Sequence, residues 1–222
     1  MKKTIWQFSF VLAAAFVLAA CHRDDPAKKK FQELSVRAEQ GDATAQTELG
    51  LMYVSGEGVA KDDAVAVKWF QKAAAQSNAV AQFNLAVSYT TGEGVVRNDG
   101  EAIKWFRQAS ELGHADSQFN LGVAYAQGKL VPRNLTETVK WFTKAAEQNH
   151  AEAQSKLAFL YASGSGVPRN KILAHAWWNV AAGNGDPDAR KNIEQLEKEM
   201  KPPEINEAVR LANDLSAKFR KK

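Results

Sequence analysis

Residues 68–74 read KWFQKAA, and the same brick returns as KWFRQAS at 104–110, KWFTKAA at 140–146 and HAWWNVAA at 175–182. Trp69, Trp105, Trp141 and Trp177 therefore stand 36 residues apart. Ala43, Ala79, Ala115 and Ala151 keep that step. So do Leu49, Leu85, Leu121 and Leu157, the series Tyr53, Tyr89, Tyr125 and Tyr161, and the series Gly56, Gly92, Gly128 and Gly164. A period held at so many columns marks an array of stacked modules. The units run 43–78, 79–114, 115–150 and 151–186.

Each unit reads as two helices. In unit one the first covers about 43–54, with Ala45, Leu49 and Tyr53 on one face, because residues four apart are neighbours on a helix. The second covers about 63–76, and Ala66, Trp69, Phe70 and Ala73 form its apolar stripe. Between them lies SGEGVAKD, whose Gly56 and Gly58 suit backbone angles closed to residues with a Cβ. Asp62, Asn98, Asn134 and Asn170 share one register before the second helix, as N-caps do. Asn98 with Glu101, and Asn134 with Glu137, have capping-box spacing. The joins between units carry Gly41, Ser77, Gly113, Asn149 and Gly185 in one register, where a helix ends in a left-handed residue. Ser77 is the costly member of that series.

These residues resemble the Sel-one-like repeat family, a relative of the tetratricopeptide repeat. Unit one, ATAQTELGLMYVSGEGVAKDDAVAVKWFQKAA, follows the family pattern nearly throughout. Leu130 replaces the second loop glycine in unit three, so that loop is expected to be reshaped. The resemblance implies an all-α fold: a right-handed solenoid of stacked helix-turn-helix repeats, used to bind other proteins. Residues 27–42 hold a lone second-type helix expected to cap the stack. The stretch 187–222 begins like a fifth first helix over 187–200, broken at Pro202-Pro203. A last helix over 204–219 then turns Ile205, Ala208, Ala212 and Leu215 inward and leads into a basic tail. Capped ends are what an open solenoid requires.

Six Trp in 222 residues raise the question whether the aromatics bind a ligand or build the core. Their place on the Ala66–Ala73 stripe favours core, since small residues opposite large ones let helices interlock. The first helix offers the better binding surface. Opposite Ala45, Leu49 and Tyr53 runs a second apolar line through Thr47, Leu51 and Val54 and their equivalents. Phe83, Val87, Phe119, Val123 and Phe159 stand on it. A helix apolar on two faces must hide the second against something. In tetratricopeptide relatives that face lines a concave groove, so the five residues are candidate partner contacts. Packing on the neighbouring unit is the other reading, and the sequence leaves both open.

The chain opens MKKTIWQFSFVLAAAFVLAACHRDD. Lys2 and Lys3, an apolar run to Leu18 and small residues before Cys21 form a secretory leader too short for a confident membrane span. Leu18-Ala19-Ala20-Cys21 resembles the bacterial lipobox, which implies cleavage after residue 20 and lipid attachment at Cys21, ahead of a short linker over 21–26. His22 rather than Asp then implies outer-membrane sorting, with the protein facing the periplasm. An ordinary leader with an incidental cysteine, or an uncleaved anchor, is the other reading. Acyl chains contribute about 0.8 kcal/mol per buried CH₂, so several anchor firmly. Cys21 is the only cysteine, so no disulfide is available and stability must come from packing. Loss of Lys2 and Lys3 from the 29 basic residues, against 25 acidic ones, lowers the net charge from +4 to +2. That near-neutral, interspersed balance does not suggest a nucleic-acid partner.

No motif for catalysis, metal or cofactor stands out. His114 and His150 share a register with Asp42, Asn78 and Asp186, an N-cap slot. His175 lies on a second helix, and no pair of histidines has zinc-helix spacing. SGSGV at 163–167 is the inter-helix loop rather than a nucleophile elbow. Some cysteine-rich Sel-one-like proteins are regarded as penicillin-binding or weakly β-lactam-hydrolysing, but their paired cysteines and an acylating Ser-x-x-Lys are missing here. The expected function is a lipid-anchored envelope adaptor that binds a protein or peptide. A cell-wall-related hydrolase and a surface or secreted host-interaction factor are the alternatives. If the tryptophans are core, Trp141→Ala should lower stability by about 3–5 kcal/mol in urea unfolding.

Overall fold

The computed structural model describes residues Asp25–Phe219; the leader, Cys21, His22 and the end Arg220-Lys221-Lys222 lie outside the described residues. Among the described residues there are helices and no strands. α1 (Pro26–Glu39) precedes four hairpins: α2 (Ala43–Ser55) with α3 (Asp63–Ala75), α4 (Ala79–Thr91) with α5 (Asp99–Glu111), α6 (Ala115–Gln127) with α7 (Leu135–Ala146), and α8 (Ala151–Ser163) with α9 (Lys171–Gly183). α10 (Ala189–Glu197) and α11 (Pro202–Phe219) close the chain. Each helix up to α10 packs on the one before it, and α11 returns onto α9, so the array is a solenoid built from neighbour contacts.

The hairpin is held by a ring set against a residue with almost no side chain. A Cβ added to Gly50 would stand 2.5 Å from Phe70 Cε1, and one at Gly122 would stand 2.6 Å from Phe142. Ala86 and Ala158 take the same place in units two and four. The opposing rings, Phe70, Phe106, Phe142 and Trp178, are at most 5% exposed. The Trp column itself is less uniform than its periodicity suggests. Trp141 and Trp177 are buried, whereas Trp69 and Trp105 are only partly covered. Lysines lie over the Trp69, Trp105 and Trp141 rings, with Lys72 Nζ 4.0 Å from the Trp69 ring centre. Trp177 is sealed by the C-terminal cap, where Phe219 stacks at 6.4 Å.

The loops show why the glycines recur. Gly56, Gly92, Gly128 and Gly164 end the first helices with φ between 68° and 83°, in the left-handed region. Gly94 meets a different constraint: a Cβ there would be 2.1 Å from the Asp63 carbonyl oxygen of the preceding hairpin. Gly58 approaches Ala27 in the same register. α1 therefore sits on unit one as α3 sits on unit two, which makes it a second-type helix without a first. Leu130 cannot make that approach. It has no positive φ, and it packs on the cluster of Ile103, Leu121, Ala124 and Trp141.

Asp62, Asn98, Asn134 and Asn170 all cap: each side-chain oxygen accepts from the backbone N–H three residues on, at 2.9–3.1 Å. The capping boxes are only half formed. The Asn98 and Asn134 N–H groups donate to the carbonyls of Tyr89 and Tyr125. Glu101 pairs instead with Lys104, and Glu137 with Lys140 and the Trp141 indole N–H. At the joins Ser77 has φ 61° and Asn149 φ 67°, both left-handed like the neighbouring glycines. The C-terminal elements differ from expectation. α10 has nine residues, and its Asp188 makes no side-chain cap. α11 begins at Pro202 rather than after the prolines, since a helix's first positions need no N–H partner. Ala208 and Ala212 are buried on its inner side. His175, 1% exposed, ties α9 to α10: Asn179 Nδ2 donates to Nδ1 at 2.8 Å, so Nε2–H donates to Glu197 at 2.8 Å.

A polar clamp joins the units. Gln46, Gln82, Gln118 and Gln154 are buried, and each amide donates to a carbonyl at the end of the preceding second-type helix, at 3.0–3.2 Å. Each of those carbonyls also accepts the backbone N–H three residues on, at 3.0–3.1 Å. The glutamine oxygen accepts in turn from Gln76, Gln148 and Asn184 in units one, three and four, each at 2.8 Å. In unit two that position is Leu112, 51% exposed, and Gln82 Oε1 is left buried without a partner. An unmatched buried acceptor costs about 1–3 kcal/mol. Leu112→Gln should restore the clamp and raise stability by about 1 kcal/mol, read as a higher denaturant midpoint at unchanged m-value.

Candidate functional site

The first-helix line predicted as a partner surface divides when the side chains are placed. Phe83 lies against Phe106 of its own unit, ring centres 6.0 Å apart, and against His114 at the next join, at 4.8 Å. Phe119 repeats the arrangement with Phe142 at 5.5 Å and His150 at 4.6 Å. Both rings are partly buried, as are Val87 and Val123. Phe159 is 63% exposed. The structure brings Val123 and Phe159 to one groove of about 680 Å³, while Phe83 and Phe119 are engaged in aromatic stacks.

That groove lies between α6 and α8. Thr138 and Phe142 of α7 and Trp178 of α9 also line it, and the turn from Asn184 to Asp188 closes one side. Its position follows from one departure in the repeat. Where units two and three hold Phe83 and Phe119, unit four holds Ser155. Unit one also has a small residue, Thr47, but it is buried, and its hydroxyl donates to Ala43 O at 2.8 Å. Ser155 is only partly covered and faces the groove. Glu152 and Lys156 on its rim pair with each other at 3.4 Å.

The capping slots take up the histidines. His114 Nδ1 accepts from Ser117 N–H at 3.2 Å, and His150 Nδ1 accepts from Ala153 N–H at 3.2 Å. The His114 ring nitrogen is also 3.0 Å from the Ser117 hydroxyl, a contact of the kind that activates a serine. Ser117 is fully buried, so no substrate carbonyl can reach it. Among the described residues no group of His, Cys, Asp and Glu is placed to hold a metal ion, and no helix is long and apolar enough to cross a membrane. The glutamine clamp and the Ser155 gap escaped the sequence reading. The glutamine column was visible as an unbroken series but carried no sign of its partners, and the gap was visible only as a missing phenylalanine.

A Sel1 repeat model matches at 43–78, 79–114, 115–150 and 151–186. The chain belongs to the Sel1 repeat family. Its solenoid is similar to that of a Sel1 repeat protein from Oxalobacter formigenes, at 37% identity and a TM-score of 0.75, over 78% of this chain and 50% of that one. It is also similar to c5321, a protective antigen of uropathogenic Escherichia coli with an SLR fold, at 29% identity and a TM-score of 0.66, over 86% of this chain and 48% of that one. This Sel1 repeat chain thus spans about half the length of these two relatives. The immunity protein Pa5087 of Pseudomonas aeruginosa shares the fold at 19% identity and a TM-score of 0.51, over 95% of this chain and 81% of that one. No curated protein matches. Sel1 repeats generally provide a scaffold for protein–protein interaction rather than a catalytic centre.

Burial lowers the His114 pKa from its ordinary 6.5, and nearby Asp116 opposes the shift. The unfolded chain then takes up a proton that the folded chain refuses. This contribution to stability is complete above the ordinary value and is lost as pH falls below it, down through the folded value. Thermal unfolding should therefore shift to lower temperature between about pH 7 and about pH 5. His114→Asn keeps a cap oxygen and should flatten this slope, measured by circular dichroism against the wild-type profile.

Proposed function

We propose that this Sel1 repeat protein is an envelope adaptor, anchored by lipid at Cys21, that holds a partner protein against the first-helix face of its solenoid. The groove at α6 and α8 carries this reading, because it leaves the Phe159 ring open to solvent beside Val123. Exposed apolar surface of this kind in a concave setting is where a partner segment gains most by burial. The rest of the framework is rigid, being tied by buried rings and amides, so the partner meets a preformed surface.

The lipid anchor is supported by the order of charge, apolar run, small residues and cysteine at the N-terminus. His22 rather than Asp after Cys21 supports outer-membrane sorting, with the protein facing the periplasm. Exposure at the cell surface is a second reading, favoured by the likeness to a protective antigen. Protease shaving of intact cells separates the two: a periplasmic protein survives and a surface protein is cut.

Cys21→Ala should abolish labelling by radioactive palmitate and release the protein from the membrane fraction. A photo-cross-linking amino acid at position 159 should capture a discrete partner in cells. Phe159→Asp should reduce the amount of partner retained by the purified protein about tenfold, with an unchanged unfolding temperature. Unaltered partner retention by a folded Phe159→Asp protein would refute the groove.

A further inference from the structure

Units two and three show what belongs in the place that Ser155 leaves open. In each, a phenylalanine from the first helix lies on the ring of the second helix and reaches the residue at the next join. One step of 36 carries Phe119, Phe142 and His150 to Ser155, Trp178 and Asp186. The supporting ring is therefore kept, the ring that should lie on it is absent, and the imidazole beside it is replaced by a carboxylate. Trp178, Ser155 and Asp186 all line the groove.

We propose that the gap at Ser155 receives an aromatic side chain from a partner peptide, with a lysine or arginine next to it. This rests on the adaptor reading above and names the occupant of that groove. The aromatic requirement follows from the register and the wall of the groove: Ser155 stands where units two and three place a phenylalanine, beside the 63% exposed Phe159 ring, while Trp178 and Phe142 beneath are themselves buried. Aromatic pairs in offset or tilted contact gain more than the area they bury. The basic requirement follows from the rim. Glu152 is matched by Lys156, but Asp186 and Asp188 have no ion-pair partner among the described residues. Asp186 accepts only the Asp188 N–H, at 2.9 Å, and the Asp188 side chain does not cap α10. Two uncompensated carboxylates beside an apolar slot select a cation next to the ring, and they steer its approach.

The experiment uses the folded protein and an acetylated heptapeptide with a central phenylalanine followed by arginine and lysine, flanked by glycine and serine. Binding is read by titration calorimetry and by the Trp178 indole N–H resonance, a buried donor with no partner in the free protein. The wild type should bind, and replacement of the peptide's phenylalanine by alanine should weaken binding at least tenfold. Ser155→Phe should refill the gap from within. It should match or exceed the wild type in thermal stability and lose at least tenfold in peptide affinity. Asp186→Asn with Asp188→Asn should weaken binding severalfold and flatten its salt dependence.

Failure of the wild type to bind the peptide would overturn the proposal. So would unchanged affinity in Ser155→Phe, or loss of that variant's fold, which would show that the gap is not open. Concentration-dependent self-association abolished by Ser155→Phe would assign the gap to a second copy of the chain and overturn it equally. If Phe159→Asp abolishes partner capture in cells while Ser155→Phe leaves it intact, the adaptor function stands and this occupant falls.

Discussion

The solenoid depends on a large ring being allowed to approach a helix backbone. Phe70 and Phe142 lie so close to Gly50 and Gly122 that a methyl group would collide with them, and in the other units the facing residue is only alanine. That close approach sets the distance between the two helices of a hairpin. Once it is set, the Ala, Leu and Tyr columns of the first helix fall into register with the Ala columns of the second. The loop glycine can then reach the start of the previous second-type helix. A repeat has too little apolar surface to be stable alone, and the loop glycines carry the hairpin onto the unit before it.

A second constraint is polar. The last turns of the second-type helices hold Ala38, Ala74, Ser110 and Ala146, all buried, and each of their carbonyls accepts a backbone N–H from the turn that follows. A carbonyl oxygen has two lone pairs, so each can take a second donor from a side chain. The buried glutamine column supplies that second donor in every unit, and in units one, three and four its amide links three helical segments. Unit two shows what the clamp requires, because Leu112 leaves one glutamine oxygen without its donor. The solenoid tolerates the loss since its other units remain clamped.

The period made the helices, the caps and the order of the units readable before any coordinates. Local rules were enough there: Asn98 and Asn134 cap because a side-chain oxygen two or three residues from an open N–H has few competing options. Readings that depended on geometry across units fared differently. The spacing of Glu101 and Glu137 fits a capping box, but a tyrosine carbonyl reaches the backbone N–H first. The four tryptophans share a register, yet only the last two are buried, because exposure depends on what lies beyond the hairpin. The apolar line through Phe83, Phe119 and Phe159 looked continuous, and the first two rings are engaged by their neighbours while the third is not. A period places side chains on a face; it does not say which of them another unit covers.

This difference bears on where function should be sought in a repeat protein. Columns that recur in every unit are explained by folding, since each unit meets the same neighbours and needs the same contacts. They are therefore poor evidence for any particular ligand, and a solenoid shared with an antigen and with an immunity protein cannot choose between their roles. Departures from the pattern are different. Leu112 costs the chain a hydrogen bond, and Leu130 repairs its own loop by packing into the core beside it. Ser155 does neither: it puts a small polar side chain on the wall of a groove where units two and three place a phenylalanine, beside Asp186 where those two units end in imidazoles. A deletion that opens a groove beside an exposed phenylalanine is the kind of departure that folding alone gives no reason to keep.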